Sequence, residues 1–262
     1  MNKGQIVKLI KTNFHGTALA SFRIKNHAKA IVLTGSYGRG TLDKFSDVDI
    51  SIMVKDDSKF NLQGKYIIDD TIFDFRTEKE NEVNSNWSDA MCYAYFNCYI
   101  IMDKQGKFRK LIKDRMKDYK ARLFEKIAVE LVELSVLFLF KDNWRNLKSD
   151  STHLMKALKR NRLDSAAYIQ NIITEKMINL LYWVHFRPCA DSKNRLRNLK
   201  KLIPLRIYKL LLRSLLLKNF TKDSLTKRDA LLSEIMDYLK KEIDNVLPYN
   251  LDLKEIYLAK RD

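Results

Sequence analysis

Residues 35–49 read Gly-Ser-Tyr-Gly-Arg-Gly-Thr-Leu-Asp-Lys-Phe-Ser-Asp-Val-Asp, and these residue types at this spacing can handle phosphate and a hard metal ion. Glycine at position 35 lets a backbone approach a ligand closely. The N–H groups of a turn that follows a strand, and the Ser36 hydroxyl beside them, are donors for an anion. Asp47 and Asp49 flank one valine at the head of the β-branched run Val48 to Val54. Side chains two apart on a strand share a face, so both carboxylates leave it together, about 6 to 7 Å apart. Such a pair is costly without a compensating cation. Its oxygens suit Mg²⁺, which binds through one or two carboxylates plus the phosphates of a substrate. Arg39, inside the glycine turn, carries a guanidinium that could reach a triphosphate oxygen.

The elements that must position these groups are legible around them. Ala30-Ile31-Val32-Leu33 reads as a strand running into the glycine turn. In residues 65–76 two apolar runs flank Asp69-Asp70, which predicts a hairpin with a polar turn. Asp74 sits between Phe73 and Phe75 at strand period, so it faces away from them and offers a third carboxylate. Residues 5–27 are expected to form one amphipathic helix, with Ile6, Leu9, Ile10 and Phe14 on a common face. Strands and turns are expected from 30 to about 102. Beyond Gly106 the pattern turns helical and contains no glycine, with breaks at Asp142-Asn143, Arg187-Pro188, Pro204 and residues 219–221.

The order Gly-Ser, Gly, Ser-Asp-x-Asp and then an isolated acid in a later strand resembles the nucleotidyltransferase superfamily that includes DNA polymerase β. Within it, the chain is similar to the small antibiotic nucleotidyltransferases of the kanamycin and lincosamide type. The matching positions are Gly35, Ser36, Gly40, Ser46, Asp47, Asp49 and Asp74. The resemblance implies that the Gly-Ser turn holds a nucleoside triphosphate, with Gly35, Ser36, Arg39 and Ser46 on the nucleotide. It also implies that Asp47, Asp49 and Asp74 hold one or two Mg²⁺ and carry catalysis. Asn86 to Asp89, the aromatic run to Ile101 and Met102 to Phe108 look like the part of those enzymes where the catalytic domain ends. Asn143 to Leu147 resembles a Trp-Arg-Asn segment of the kanamycin enzyme's helical domain. A helical-domain glutamate is the general base there; Glu130 and Glu133 are the candidates here. The implied fold class is α+β. A mixed-sheet nucleotidyltransferase domain spans residues 1–112, and an all-α bundle that binds the acceptor spans residues 113–262.

Composition narrows the setting. The three cysteines, Cys92, Cys98 and Cys189, have no metal-ligand spacing and form no disulfide framework. His15, His27, His153 and His185 are scattered. No signal-peptide pattern or membrane-length apolar run is present, so the expectation is a cytoplasmic protein with no membrane partner. The net charge of +17 is uneven, with +4 in residues 1–110 and +13 in residues 111–262. From Ser192 to Lys222 there are ten bases and no acid. Interleaved leucines there, among them Leu199, Leu205, Leu210, Leu211 and Leu215, predict amphipathic helices with a basic face. Aminoglycosides and lincosamides are cations that call for an acidic pocket, whereas a basic stripe attracts RNA phosphates.

The expected function is Mg²⁺-dependent transfer of a nucleoside monophosphate, AMP from ATP foremost, to a hydroxyl of a small molecule such as an aminoglycoside or lincosamide antibiotic, with pyrophosphate leaving. The role would be antibiotic resistance. The alternatives are a toxin-like transferase acting on tRNA or protein, which the basic helical half favours, and a non-catalytic nucleotide-binding relative, which the intact Asp47, Asp49 and Asp74 disfavour.

Overall fold

Ala30–Leu33 forms β1, buried along its whole length, because four consecutive apolar residues leave no polar side to face water. The computed structural model describes residues 1–41, 46–137, 152–217 and 220–246. Around β1 stand β2 (Val48–Val54), β3 (Gly64–Ile68), β4 (Thr71–Lys79) and β5 (Tyr99–Asp103), in the sheet order β3-β4-β2-β1-β5. β1 runs antiparallel to β2 and β5, and β3 antiparallel to β4, while β2 and β4 are parallel. The sheet is therefore mixed, as expected for an α+β chain. Asp69 and Asp70 close the β3–β4 hairpin with φ of 46° and 57°. Both central residues of such a turn are left-handed, a conformation that short polar side chains tolerate.

The N-terminal segment departs from the expected single helix. Helix α1 covers only Lys3–Lys11, closed at its start by a capping box in which Asn2 and Gln5 exchange hydrogen bonds of 2.7 and 3.0 Å. Asn13, Phe14 and Gly16 then take positive φ, and the chain resumes with a 3₁₀ turn at Ala20–Phe22 and α2 at Ile24–His27. The reversal is stabilised from both sides. The Asn13 side-chain oxygen accepts from the Lys25 N–H at 2.9 Å, and Phe14 enters the core edge-on to Phe73 and Phe75, with ring centroids 5.6 and 5.8 Å away. Periodicity found the right apolar residues, since Ile6, Ile10 and Phe14 are buried, but it cannot report a turn that keeps them facing one core.

Three short helices also interrupt the stretch expected to hold only strands and turns: α3 (Gly35–Arg39), α4 (Glu80–Asn84) and α5 (Asp89–Phe96). The Ser88 hydroxyl caps α5 by accepting from the Met91 N–H. Its aromatics suit strands, yet Trp87 against Tyr95 and Tyr95 against Phe108 pack it as a helix.

The chain divides into two compact units, Met1–Asp118 and Tyr119–Asp262, with α6 (Lys107–Leu137) running across the division. The regular elements described in the second unit are all helices: the end of α6, then α7 (His153–Lys159), α8 (Leu163–Trp183), α9 (Arg195–Leu199), α10 (Leu205–Leu215) and α11 (Lys222–Val246). Helix α10 buries Ile207, Leu210, Leu211 and Ser214 at helical period and turns Arg206, Lys209 and Arg213 outward. Leu199, Leu210 and Leu211 join the core as expected. Leu205 and Leu215 do not; both are exposed. The segment Asn143 to Leu147 and the break at Asp142-Asn143 lie outside the described residues. No described helix is long and apolar enough to cross a membrane.

Because Phe14 is fully buried between Phe73 and Phe75, Phe14→Ala is expected to destabilise the first unit by about 3–5 kcal/mol. Denaturant unfolding of the full chain checks this, and a loss below about 1 kcal/mol would contradict the packing.

Candidate active site

Asp49 and Asp74 are register partners across the parallel β2–β4 pair, so their side chains leave adjacent strands side by side on one face of the sheet. Val48, Ile50, Phe73 and Phe75 alternate with them and are buried on the other face. Asp47 precedes β2 and reaches the same place. One carboxylate oxygen from each of the three lies within 4.8 Å of the others, and all three residues are half-buried. Three hard oxygen donors at that separation could hold a divalent metal ion, and the donor set suits Mg²⁺ chemistry.

The glycine turn is packed against this cluster. The Thr34 N–H donates to the Asp49 carbonyl at 3.0 Å, tying the end of β1 to β2. Gly35 has φ of +55°, and a Cβ there would stand 1.7 Å from Asp49 Oδ2. Only glycine allows both the conformation and the approach. Gly38 is equally constrained, since a Cβ would lie 2.5 Å from the Leu33 carbonyl oxygen. Gly40 ends α3 in the left-handed region, as a C-terminal glycine commonly does. Ser36 lies in the first turn of α3 and Ser46 immediately before Asp47; both are half-buried. Tyr37 is buried, and its hydroxyl donates to the Met1 carbonyl at 2.9 Å.

The other candidates sit as follows. The Arg39 guanidinium lies over the Tyr93 ring, 5.0 Å from its centroid, so α5 positions it. Glu130 and Glu133 are in the second unit, where both meet Lys176, with 3.2 Å to Glu130. Glu130 is buried and Glu133 exposed. The His27 ring stacks on Phe60, and His185 faces the Tyr238 hydroxyl at 3.5 Å. Cys92 and Cys189 are buried free thiols; Cys98 is half-buried, and burial pushes its thiol up to about 11.

Sequence reasoning missed Lys65. It is the register partner of Asp74 across the β3–β4 hairpin, and its ammonium lies 3.3 Å from Asp47 Oδ2 and 3.9 Å from Asp74 Oδ2. The hydrogen bond to Asp47, and then the carboxylates' charge, hold that ammonium above the usual lysine range. The turn at Asp69-Asp70 contained the signal. A two-residue hairpin loop pairs 68 with 71, and counting outward pairs 65 with 74.

Beyond Asp74 the same face continues with Arg76 and Glu78 on β4, opposite Ser51 and Met53 on β2. The Tyr95 hydroxyl donates to the Glu78 carboxylate, and burial raises the Glu78 carboxyl above the ordinary range despite that bond. A pocket of about 250 Å³ opens here, lined by Gln63, Arg76, Thr77, Glu78, Glu82 and Met91 among others.

A family model described as a nucleotidyltransferase domain matches residues 18–120, which span the glycine turn, all three aspartates and Lys65. Residues 18–120 carry a nucleotidyltransferase domain. That domain makes the protein an enzyme, and its general reaction is transfer of a nucleoside monophosphate from a nucleoside triphosphate. A solved structure, a nucleotidyltransferase-like protein from Exiguobacterium sibiricum 255-15, is similar to this protein over 92% of this chain and 78% of that one, at 11% identity and a TM-score of 0.45. No curated protein matches the sequence.

The contact between Gly35 and Asp49 gives a direct check. Gly35→Ala must take a left-handed alanine and push the Asp49 carboxylate aside, so it is expected to lower stability by about 1–3 kcal/mol in denaturant unfolding. Unfolding at the wild-type midpoint would contradict that close approach.

Proposed function

We propose that Asp47, Asp49 and Asp74 hold Mg²⁺ and that this chain uses it to move AMP from ATP to a hydroxyl of a small, cationic acceptor of the aminoglycoside or lincosamide class. The observation that carries the reading is the convergence of three carboxylate oxygens within 4.8 Å, directly against a glycine that cannot be replaced there. Mg²⁺ bound to them would supply charge neutralisation on the triphosphate. The Gly35–Ser36 turn then donates to phosphate oxygens, and Ser46 and Arg39 complete the nucleotide contacts. An acceptor hydroxyl attacks the α-phosphorus in line, the new O–P bond forms, and the bond from that phosphorus to the β-phosphate oxygen breaks. Pyrophosphate leaves, and the hydroxyl proton passes to Asp74.

Recognition of the acceptor falls to the polar end of the sheet face. The pocket beside Arg76 offers Glu78 and Glu82 to a cationic group, and its volume of about 250 Å³ admits one ring of a small molecule rather than a macromolecule. A second reading, transfer to tRNA or protein, is favoured by one observation: α10 turns Arg206, Lys209 and Arg213 outward within an acid-free stretch that runs from Ser192 to Lys222. Use of ATP and three free cysteines suit the cytoplasm, and modification of an antibiotic would confer resistance to it.

The reading is tested by incubating the full chain with each α-labelled nucleoside triphosphate, Mg²⁺, and in turn a panel of these antibiotics and total tRNA. Label is expected on an antibiotic. Asp49→Asn is expected to lower transfer by roughly a thousandfold, in line with losing several kcal/mol of metal-assisted stabilisation, with an unchanged unfolding midpoint. Full activity in Asp49→Asn would remove the metal-site reading, and labelled tRNA with unlabelled antibiotics would replace the acceptor.

A further inference from the structure

Lys65 does not belong to the motif that marks the site, yet it stands among its carboxylates. Its position follows from backbone register: it faces Asp74 across the antiparallel β3–β4 pair, so both side chains leave the sheet on one face. On β3 the alternate residues Tyr66 and Ile68 pack toward the core, while Lys65 and Ile67 point outward. Lys65 therefore contributes no apolar packing. Its ammonium bridges two acids that come from different segments, Asp47 ahead of β2 and Asp74 within β4, at 3.3 and 3.9 Å. The side chain is 60% exposed, which leaves its four-carbon stem room to swing.

Resting on the metal-site reading above, we infer that Lys65 is a counter-ion that competes with the divalent metal for Asp47 and Asp74 until nucleotide arrives, and then moves onto the triphosphate. An ammonium at hydrogen-bond distance from Asp47 repels a divalent cation bound to the same carboxylates. The lysine therefore lowers the affinity of the site for a free divalent cation. A metal–nucleotide complex brings its own anion. The displaced ammonium then finds triphosphate oxygens in place of the carboxylates it gave up, so its charge opposes metal binding alone and supports metal binding with nucleotide. Lys65 is thus a binding and positioning residue that makes occupancy by metal conditional on occupancy by nucleotide. No covalent step is involved; the proposal is a linkage between two ligands through one mobile charge.

The test is Mn²⁺ binding to the full chain, by electron paramagnetic resonance or calorimetry, with and without a non-hydrolysable nucleoside triphosphate analogue. The proteins are wild type and Lys65→Met, which keeps the stem and removes the charge. Free Mn²⁺ should bind the variant roughly tenfold more tightly than wild type, as expected for removing a neighbouring positive charge. With the analogue present, the variant should lose that advantage and bind the analogue several-fold more weakly, so that nucleotide enhances Mn²⁺ binding less than in wild type. An enhancement equal to wild type in Lys65→Met would overturn the role of the lysine while leaving the metal site intact. Failure of wild type to bind Mn²⁺ even with the analogue would overturn the metal-site reading, and this inference with it. Circular dichroism of the variant confirms folding, which an outward-facing side chain on β3 does not govern.

Discussion

Asp49 and Asp74 stand beside each other across the parallel β2–β4 pair, and this enforced meeting of like charges is the constraint that the rest of the first unit serves. Opposed carboxylates disfavour the pairing. What holds it is the other face of the same strands, where Val48, Ile50, Phe73 and Phe75 pack with Phe14 and the N-terminal helix. A slip of one residue would drive both acids into that core and both phenylalanines into water, so the register cannot relax to separate the charges. The repulsion is instead offset locally by the Lys65 ammonium, and a divalent cation at the cluster would offset it further.

That constraint explains which parts of the site were legible in the sequence. Gly35, Asp47, Asp49 and Asp74 are marked by local spacing: a glycine after an apolar strand, two acids either side of a valine, an acid between two phenylalanines. Each signal needs only the two-residue period of a strand. Lys65 carries no such mark. It is one lysine among many in a basic chain, and only the register of the hairpin brings it to Asp74. The same limit applies to the N-terminal segment. Its apolar residues were identified, but the left-handed turn at Asn13 and Phe14 is fixed by a side-chain cap on Lys25 and by the space between Phe73 and Phe75, both distant in sequence. Helix α5 was obscured for a related reason, since its aromatic residues fit either a strand or a helix until Trp87 and Phe108 are in place.

The sheet face beyond the acids is organised by α5. Arg76 and Glu78 continue the row begun by Asp74, and Tyr95 from α5 fixes the Glu78 carboxyl by a hydrogen bond. α5 thus orders two things at once: its Tyr93 underlies Arg39 near the glycine turn, and its Tyr95 holds the acid of the adjoining pocket. The glycine turn and the far side of the face are therefore organised by one short helix. The helical unit carries most of the chain's excess positive charge and has its own buried core.

The central claim is that the three aspartates are metal ligands. The most direct measurement is anomalous diffraction from crystals of the full chain grown with Mn²⁺ and a non-hydrolysable nucleoside triphosphate. The account predicts an anomalous peak at about 2.1 Å from carboxylate oxygens of Asp47, Asp49 and Asp74, with triphosphate oxygens completing the shell. Bound nucleotide with no metal at these carboxylates, or with metal held by other residues, would contradict it.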